Sequence, residues 1–196
     1  IDGYNLALDK GTGVATYARN LSYCLGSLGH EVGVLYGGRS TAHRSSLLKE
    51  IAFFFFYAGE LPNWLKKVRA IQEGFRAPFG YRATEVPITG KVISESFKSR
   101  MPHFDVMFNA RDVFRRSHNN FNIWEKMGQV SVDFKPVITH WTYPLPLYIN
   151  GCKNIYTLHD LVPLRLPYTT LDNKRIYFRL CQRIAKKADH IVTVSE

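Results

Sequence analysis

IDGYNLALDKGTGVATYARNLSYCLGSLGHEVGVLYGG, the stretch from Ile1 to Gly38, decides the fold. Ile1-Asp2-Gly3 reads as the tail of a strand. Leu6 to Gly13 is a polar loop carrying Gly11-Thr12-Gly13. Val14, Tyr17, Ala18, Leu21, Leu25 and Leu28 then recur at steps of three and four, which predicts one apolar helical face. Gly29 follows as a helix stop, and Glu31 to Tyr36 reads as a second strand closed by Gly37-Gly38. Strand, glycine loop, helix, strand is a βαβ unit, so the expected class is α/β with a parallel sheet.

Working outward, Phe104–Asn109, Pro136–Thr139 and Asn154–Leu158 are short apolar runs bounded by turn residues, the pattern of buried parallel strands. Tyr177, Cys181, Ile184 and Ala188 share one face of a late helix, and Arg175, Arg179 and Arg183 share another, expected to meet solvent or a membrane. His190–Val194 is the strand after it. Between Arg39 and about residue 103 the periodicity fails, and this stretch is expected to be a variable inserted region of one domain. A short amphipathic helix through Trp64, Leu65, Val68, Ile71 and Phe75 and a weak strand at Val86–Ile93 are the readings there. Both ends read as cut, as in a piece of a longer protein.

The 196 residues suffice for one domain to bury about 70% of its unfolded surface. Lys and Arg number 26 against 16 Asp and Glu, a formal charge of +10, which points to an anionic partner. Three cysteines (Cys24, Cys152, Cys181) with no CxxC pair argue against a disulfide framework and a zinc site. No apolar run reaches the roughly 18 residues of a membrane span, and no secretory signal pattern opens the chain. A cytoplasmic location is the expectation.

The glycine loop is placed for an anion at the positive end of the helix dipole. A dinucleotide fingerprint needs a third glycine where Thr16 stands and an acid after the second strand, where the chain has Tyr36-Gly37-Gly38. A nicotinamide oxidoreductase is therefore disfavoured, and no Walker-type Gly-Lys-Ser/Thr occurs. A ligand-free turn is as good a reading of this loop alone.

His140, after Val137–Thr139, and His159, after Tyr156–Leu158, are expected at the carboxyl ends of two strands, where open parallel sheets bind ligands. A lone histidine there is more often a satisfied polar group, but two at equivalent strand ends shift the balance. His30, His43, His103, His118 and His190 are expected at the surface. Asp160 beside His159 serves to orient a ring, act as a base or cap the next turn. No metal-ligand cluster or Ser/His/Asp order stands out. Arg111, after a strand end, is a candidate phosphate contact. From Leu61 to Lys126, 12 basic residues face six acidic ones among many aromatics. Such interleaving suits nucleic acid or an anionic membrane, and more often marks a solvated face. A docking patch at Phe53–Tyr57 beside Lys66, Lys67 and Arg69 is one such membrane hypothesis.

Asn154-Ile-Tyr-Thr-Leu-His-Asp-Leu-Val-Pro-Leu-Arg-Leu-Pro167, a basic helix, and Ala188-Asp-His-Ile-Val-Thr-Val-Ser-Glu196 closely resemble the N-terminal half of glycosyltransferase family 4 enzymes. Ile1–Gly3, Gly11–Gly13 and Tyr17-Ala-Arg-Asn-Leu21 match the same family's first strand, loop and helix. The resemblance covers roughly residues 1–38 and 136–196. It implies a Rossmann-like parallel sheet flanked by helices, the N-terminal acceptor-side half of a GT-B fold, with a C-terminal donor-binding domain outside this chain. It further implies a retaining transferase moving a sugar, mannose in many bacterial members, from a nucleotide sugar to a glycan or lipid-linked acceptor without a metal or cofactor. By that resemblance Gly11, Thr12 and Gly13 shape the donor diphosphate site, and His159, with Asp160 beside it, acts at the donor sugar. The segment with His140, Trp141 and Tyr143 lies on the acceptor side. Nucleic acid is not an expected partner, whereas an anionic membrane's inner face is a candidate one. The alternative is a non-catalytic basic module that binds nucleic acid or such a membrane.

Overall fold

A computed structural model describes residues 1–6, 13–38, 50, 80–88, 101–166, 168 and 173–194. The described strands are β1 (Gly33–Tyr36), β2 (Gly80–Arg82), β3 (Thr84–Glu85), β4 (Val106–Asn109), β5 (Gly128–Ser131), β6 (Ile138–Trp141), β7 (Leu147–Ile149), β8 (Lys153–Leu158) and β9 (His190–Thr193). The described helices are α1 (Gly13–Ser27), α2 (Val113–Trp124), α3 (Val162–Arg165) and α4 (Lys174–Lys187). The class is mixed α/β.

The strands form three three-stranded sheets, ordered β1-β4-β3, β2-β5-β7 and β6-β8-β9. Every pairing is parallel except β3 with β4. Ile1–Gly3 is reduced to a single parallel bridge, Asp2 to Leu35, yet it hydrogen-bonds on both sides. The Gly3 amide donates to the Leu35 carbonyl (2.7 Å) and the Asp2 amide to the His140 carbonyl (3.3 Å), so this segment ties β1 to β6.

Alternation along β1 and β4 explains why both faces are covered. Val34, Tyr36 and Met107 pack with Ala18 of α1, while Leu35 and Phe108 join Val113 and Phe114 of α2 in the larger core. Buried parallel strands need apolar residues on both faces, and these short runs supply them. Trp141, Tyr156, Leu145, Leu147 and Ile184 fill the centre of that larger core.

The structure corrects several expectations. The buried residues of α1 are Ala15, Ala18 and Ser22, while Leu28 is 71% exposed. α1 ends at Ser27, so Leu28 stands in the closing turn, outside the helix's buried face. Gly29 does close the helix, at a φ of 79° that suits glycine. The strand expected at Val86–Ile93 is replaced, as far as described, by β2 and β3 just before it. Val86 instead donates its amide to the Met107 carbonyl beside β4 (2.9 Å). β5, β7, α2 and α3 had no clear sequence signal. The expected helix at 64–75, the Phe53–Tyr57 patch and residues 89–93 lie outside the described residues. None of the described helices is long and apolar enough to cross a membrane.

Candidate functional site

His159 and Asp160 leave the carboxyl end of β8, and Tyr143 and Pro144 leave that of β6. With Val162 and Pro163 of α3 and Tyr177 of α4 they line a cavity of about 190 Å³. Parallel strands place their trailing loops on one side, which is why segments 15 residues apart converge here. The Asp160 Oδ1 accepts from the Val162 amide (3.0 Å) and so turns the chain into α3. The Tyr177 hydroxyl donates to the Asp160 carbonyl (3.2 Å) and joins α4 to that turn. Burial is the leading reason its phenol is held well above the usual range.

His159 Nε2 lies 2.8 Å from the Thr142 carbonyl. A carbonyl only accepts, so Nε2 carries the proton and a neutral ring keeps Nδ1 as an acceptor. The His159 ring meets that of Tyr17 edge-on, with centroids 5.1 Å apart. Tyr17 sits one turn into α1 from Gly13, and its hydroxyl is 3.1 Å from Thr157 Oγ1. The same Oγ1 lies 2.8 Å from His140 Nε2. His140 is thereby engaged inside the protein, and burial above all lowers its pKa to about 4.

The two histidines do not occupy equivalent strand ends. β6 continues through Trp141, and His140 pairs with Ile155, four positions before His159. The cause is Trp141 itself, which is fully buried, stacks on Tyr156 (6.2 Å) and donates Nε1–H to Asn154 Oδ1 (3.1 Å). Trp141 therefore faces the core rather than an acceptor. Thr142 is buried too, its amide held by the carboxylate of Asp2. Of the expected acceptor-side segment, Tyr143 alone lines the cavity.

Gly13 is exposed at the first position of α1, and a Cβ there would meet nothing within 4 Å. Gly11 and Thr12 lie outside the described residues. Arg111 is exposed in the turn after β4 and is not among the residues lining the cavity. Among the other histidines, His103 and His118 are half-buried rather than at the surface, while His30 and His190 are exposed and His43 lies outside the described residues. Sequence reasoning missed Tyr17, Thr157 and Tyr177 as site residues. Tyr17 carried a usable signal, an aromatic one turn after a glycine loop, whereas nothing local connects Tyr177 to a loop 17 residues upstream. Among the described residues no group of His, Cys, Asp or Glu could hold a metal ion. No family model, curated protein or solved structure matches this chain.

Proposed function

We propose that this chain is the N-terminal, acceptor-side half of a retaining glycosyltransferase of family 4, a Rossmann-like half of a GT-B fold. Its reaction is transfer of a sugar, mannose by the resemblance, from a nucleotide sugar to an acceptor hydroxyl in polysaccharide or glycolipid assembly. The single observation that carries the reading is the approach of His159, which lines the cavity, to Tyr17, one turn after Gly13. It supports an arrangement with the sugar by His159 and the diphosphate by the start of α1.

In that reaction the bond from the anomeric carbon to the diphosphate oxygen breaks, and its electron pair leaves with the diphosphate. The acceptor oxygen bonds to the same carbon, and its proton passes to the departing diphosphate oxygen. Charge builds on the leaving diphosphate, so amides at the start of α1 favour the transition state over the ground state. Cationic side chains of a C-terminal domain would complete the site. The proposed setting is the cytoplasm, at the inner face of a membrane.

The test is turnover of GDP- and UDP-sugars by the full-length protein, wild type against His159→Ala. Turnover of one donor that falls about 100-fold or more in the variant, the scale of losing a transition-state contact, supports the reading. No turnover with any donor overturns it.

A second reading, a non-catalytic module on an anionic membrane, is favoured by one surface. Ile123, Trp124 and Phe178 are each more than half exposed, around the Arg179–Glu125 ion pair that joins α2 to α4. Arg175 and Arg183 flank Arg179 on exposed turns of α4. Exposed aromatics beside arginines suit a lipid headgroup region. Salt-sensitive vesicle binding, with no change in His159→Ala, would favour it.

A further inference from the structure

Ile1-Asp2-Gly3 puts one acidic side chain into the segment that ties β1 to β6. Asp2 is fully buried there. Taking a carboxylate out of water is costly unless its oxygens find donors. Two backbone amides supply them. Oδ1 accepts from the Tyr4 amide (3.1 Å), and Oδ2 accepts from the Thr142 amide. A carboxylate offers acceptors on both oxygens and no donor, which is what two converging N–H groups require. Asp2→Asn would turn an NH2 donor toward one of them.

The Thr142 contact matters because of where β6 stops. The last pair of its ladder with β8 is Trp141 with Tyr156. Thr142 is the first residue beyond that ladder, fully buried, and Asp2 holds its amide. Its carbonyl, 2.8 Å from His159 Nε2, accepts the ring proton. Asp2, Thr142 and His159 are thus linked in turn across three adjacent segments: Ile1–Gly3, the end of β6 and the end of β8. The last link fixes which ring nitrogen bears the proton. Tyr17, the ring's other neighbour, meets it edge-on at 5.1 Å with its hydroxyl on Thr157 Oγ1. That contact constrains the tilt of the ring rather than its nitrogens.

We infer that Asp2 is a positioning residue for His159: its buried carboxylate anchors Thr142 beyond the end of β6, and the Thr142 carbonyl holds the ring with Nε2 protonated and Nδ1 as the acceptor. The inference rests on the transferase reading only for the use to which His159 puts that acceptor. Asp2 is not among the residues lining the cavity, so it acts through the backbone of Thr142.

The experiment is proton–nitrogen NMR on the full-length protein with labelled histidine and tryptophan, wild type against Asp2→Asn. It reads the exchange with water of two side-chain protons, His159 Nε2–H and Trp141 Nε1–H. The indole proton is the internal control, because Trp141 donates to Asn154 Oδ1 rather than to any group that Asp2 holds. Asp2→Asn should speed exchange at His159 roughly tenfold, the scale of one hydrogen bond, and leave the indole proton unchanged. Equal exchange at His159 in the two proteins overturns the inference. Acceleration of both protons also overturns it, since that marks a general loosening of the core, and so does a wild-type ring protonated on Nδ1. Should Asp2→Asn not fold, the wild-type protein decides. Couplings carried across hydrogen bonds should join the Thr142 amide nitrogen to the Asp2 carboxyl carbon, and His159 Nε2 to the Thr142 carbonyl carbon. Absence of either coupling overturns the inference. Sugar transfer measured on the same two proteins separates the inference from the transferase reading. Faster His159 exchange in the variant, with no transfer by wild type, leaves the role of Asp2 standing and removes the catalytic use of the ring. Transfer by wild type with unchanged His159 exchange does the reverse.

Discussion

The rings of Tyr17 and His159 meet at 87°, with centroids 5.1 Å apart, across 142 residues of sequence. Tyr17 is fixed at its other end by Thr157 Oγ1, 3.1 Å from the phenol oxygen. One side chain thus links the first helix to the strand that delivers His159. Tyr17→Phe keeps the edge contact and loses the hydroxyl, and should cost about 1 kcal/mol. Tyr17→Ala loses both and should cost more, roughly 2 kcal/mol. Urea denaturation of the two variants checks the order, and equal losses would refute a separate role for the hydroxyl.

His140 makes the protein acid-sensitive. Burial is the leading reason its pKa falls from 6.5 to about 4. The folded state therefore holds a neutral ring where the unfolded chain binds a proton. The contribution is fully present above pH 6.5 and is lost as pH falls from there through about 4. After discounting the ring's partial exposure, the loss is about 2 kcal/mol. Denaturation midpoints across that window, wild type against His140→Gln, measure it. The variant's profile should lack this slope, and parallel profiles would remove His140 as the cause.

Asn154 is the polar centre of the core beneath the site. Its Oδ1 accepts from Trp141 Nε1 (3.1 Å) and the Ile149 amide (2.9 Å), and its Nδ2 donates to the Ile149 carbonyl (2.8 Å). Asn154→Ala orphans buried donors on two elements and should cost about 3 kcal/mol. Asn154→Asp keeps the two accepted bonds, so it should lose less where the carboxylate is protonated. A thermal unfolding series at two pH values tests this, and an Ala variant within about 0.5 kcal/mol of wild type would contradict it.

Gly3 is required by space. A Cβ there would stand 2.7 Å from a ring carbon of Tyr36 and 3.0 Å from the Leu35 carbonyl oxygen. Tyr36 is fully buried and cannot swing aside. Gly3→Ala should destabilise by about 2 kcal/mol through overpacking. Gly13→Ala, where the Cβ meets nothing, is the control and should leave stability unchanged. Calorimetry on the pair settles the contrast, and the prediction fails if the two variants melt together.

Local pattern was enough to read the α/β class, β1, β4, β8 and β9, the helix α1 with its stop at Gly29, and the placement of His159 after a strand. Each rests on neighbours within one element: an apolar run, a period of three and four, a glycine beyond the last turn. The tertiary structure alone decided which of those residues share a cavity. Trp141 follows a strand-like run as Tyr143 does, but packing on Tyr156 extends β6 and turns the indole into the core. Tyr177 looked like one apolar position on a helix face, and the docking of α4 on the α3 turn brings it to Asp160. The apolar period of α1 marked Leu28 for burial, yet the helix approaches through Ala15, Ala18 and Ser22. Hydrophobic periodicity reports that a face is buried. It does not encode how near the partner lies or which distant loop shares the gap, because those depend on side-chain volumes from segments far apart in the chain.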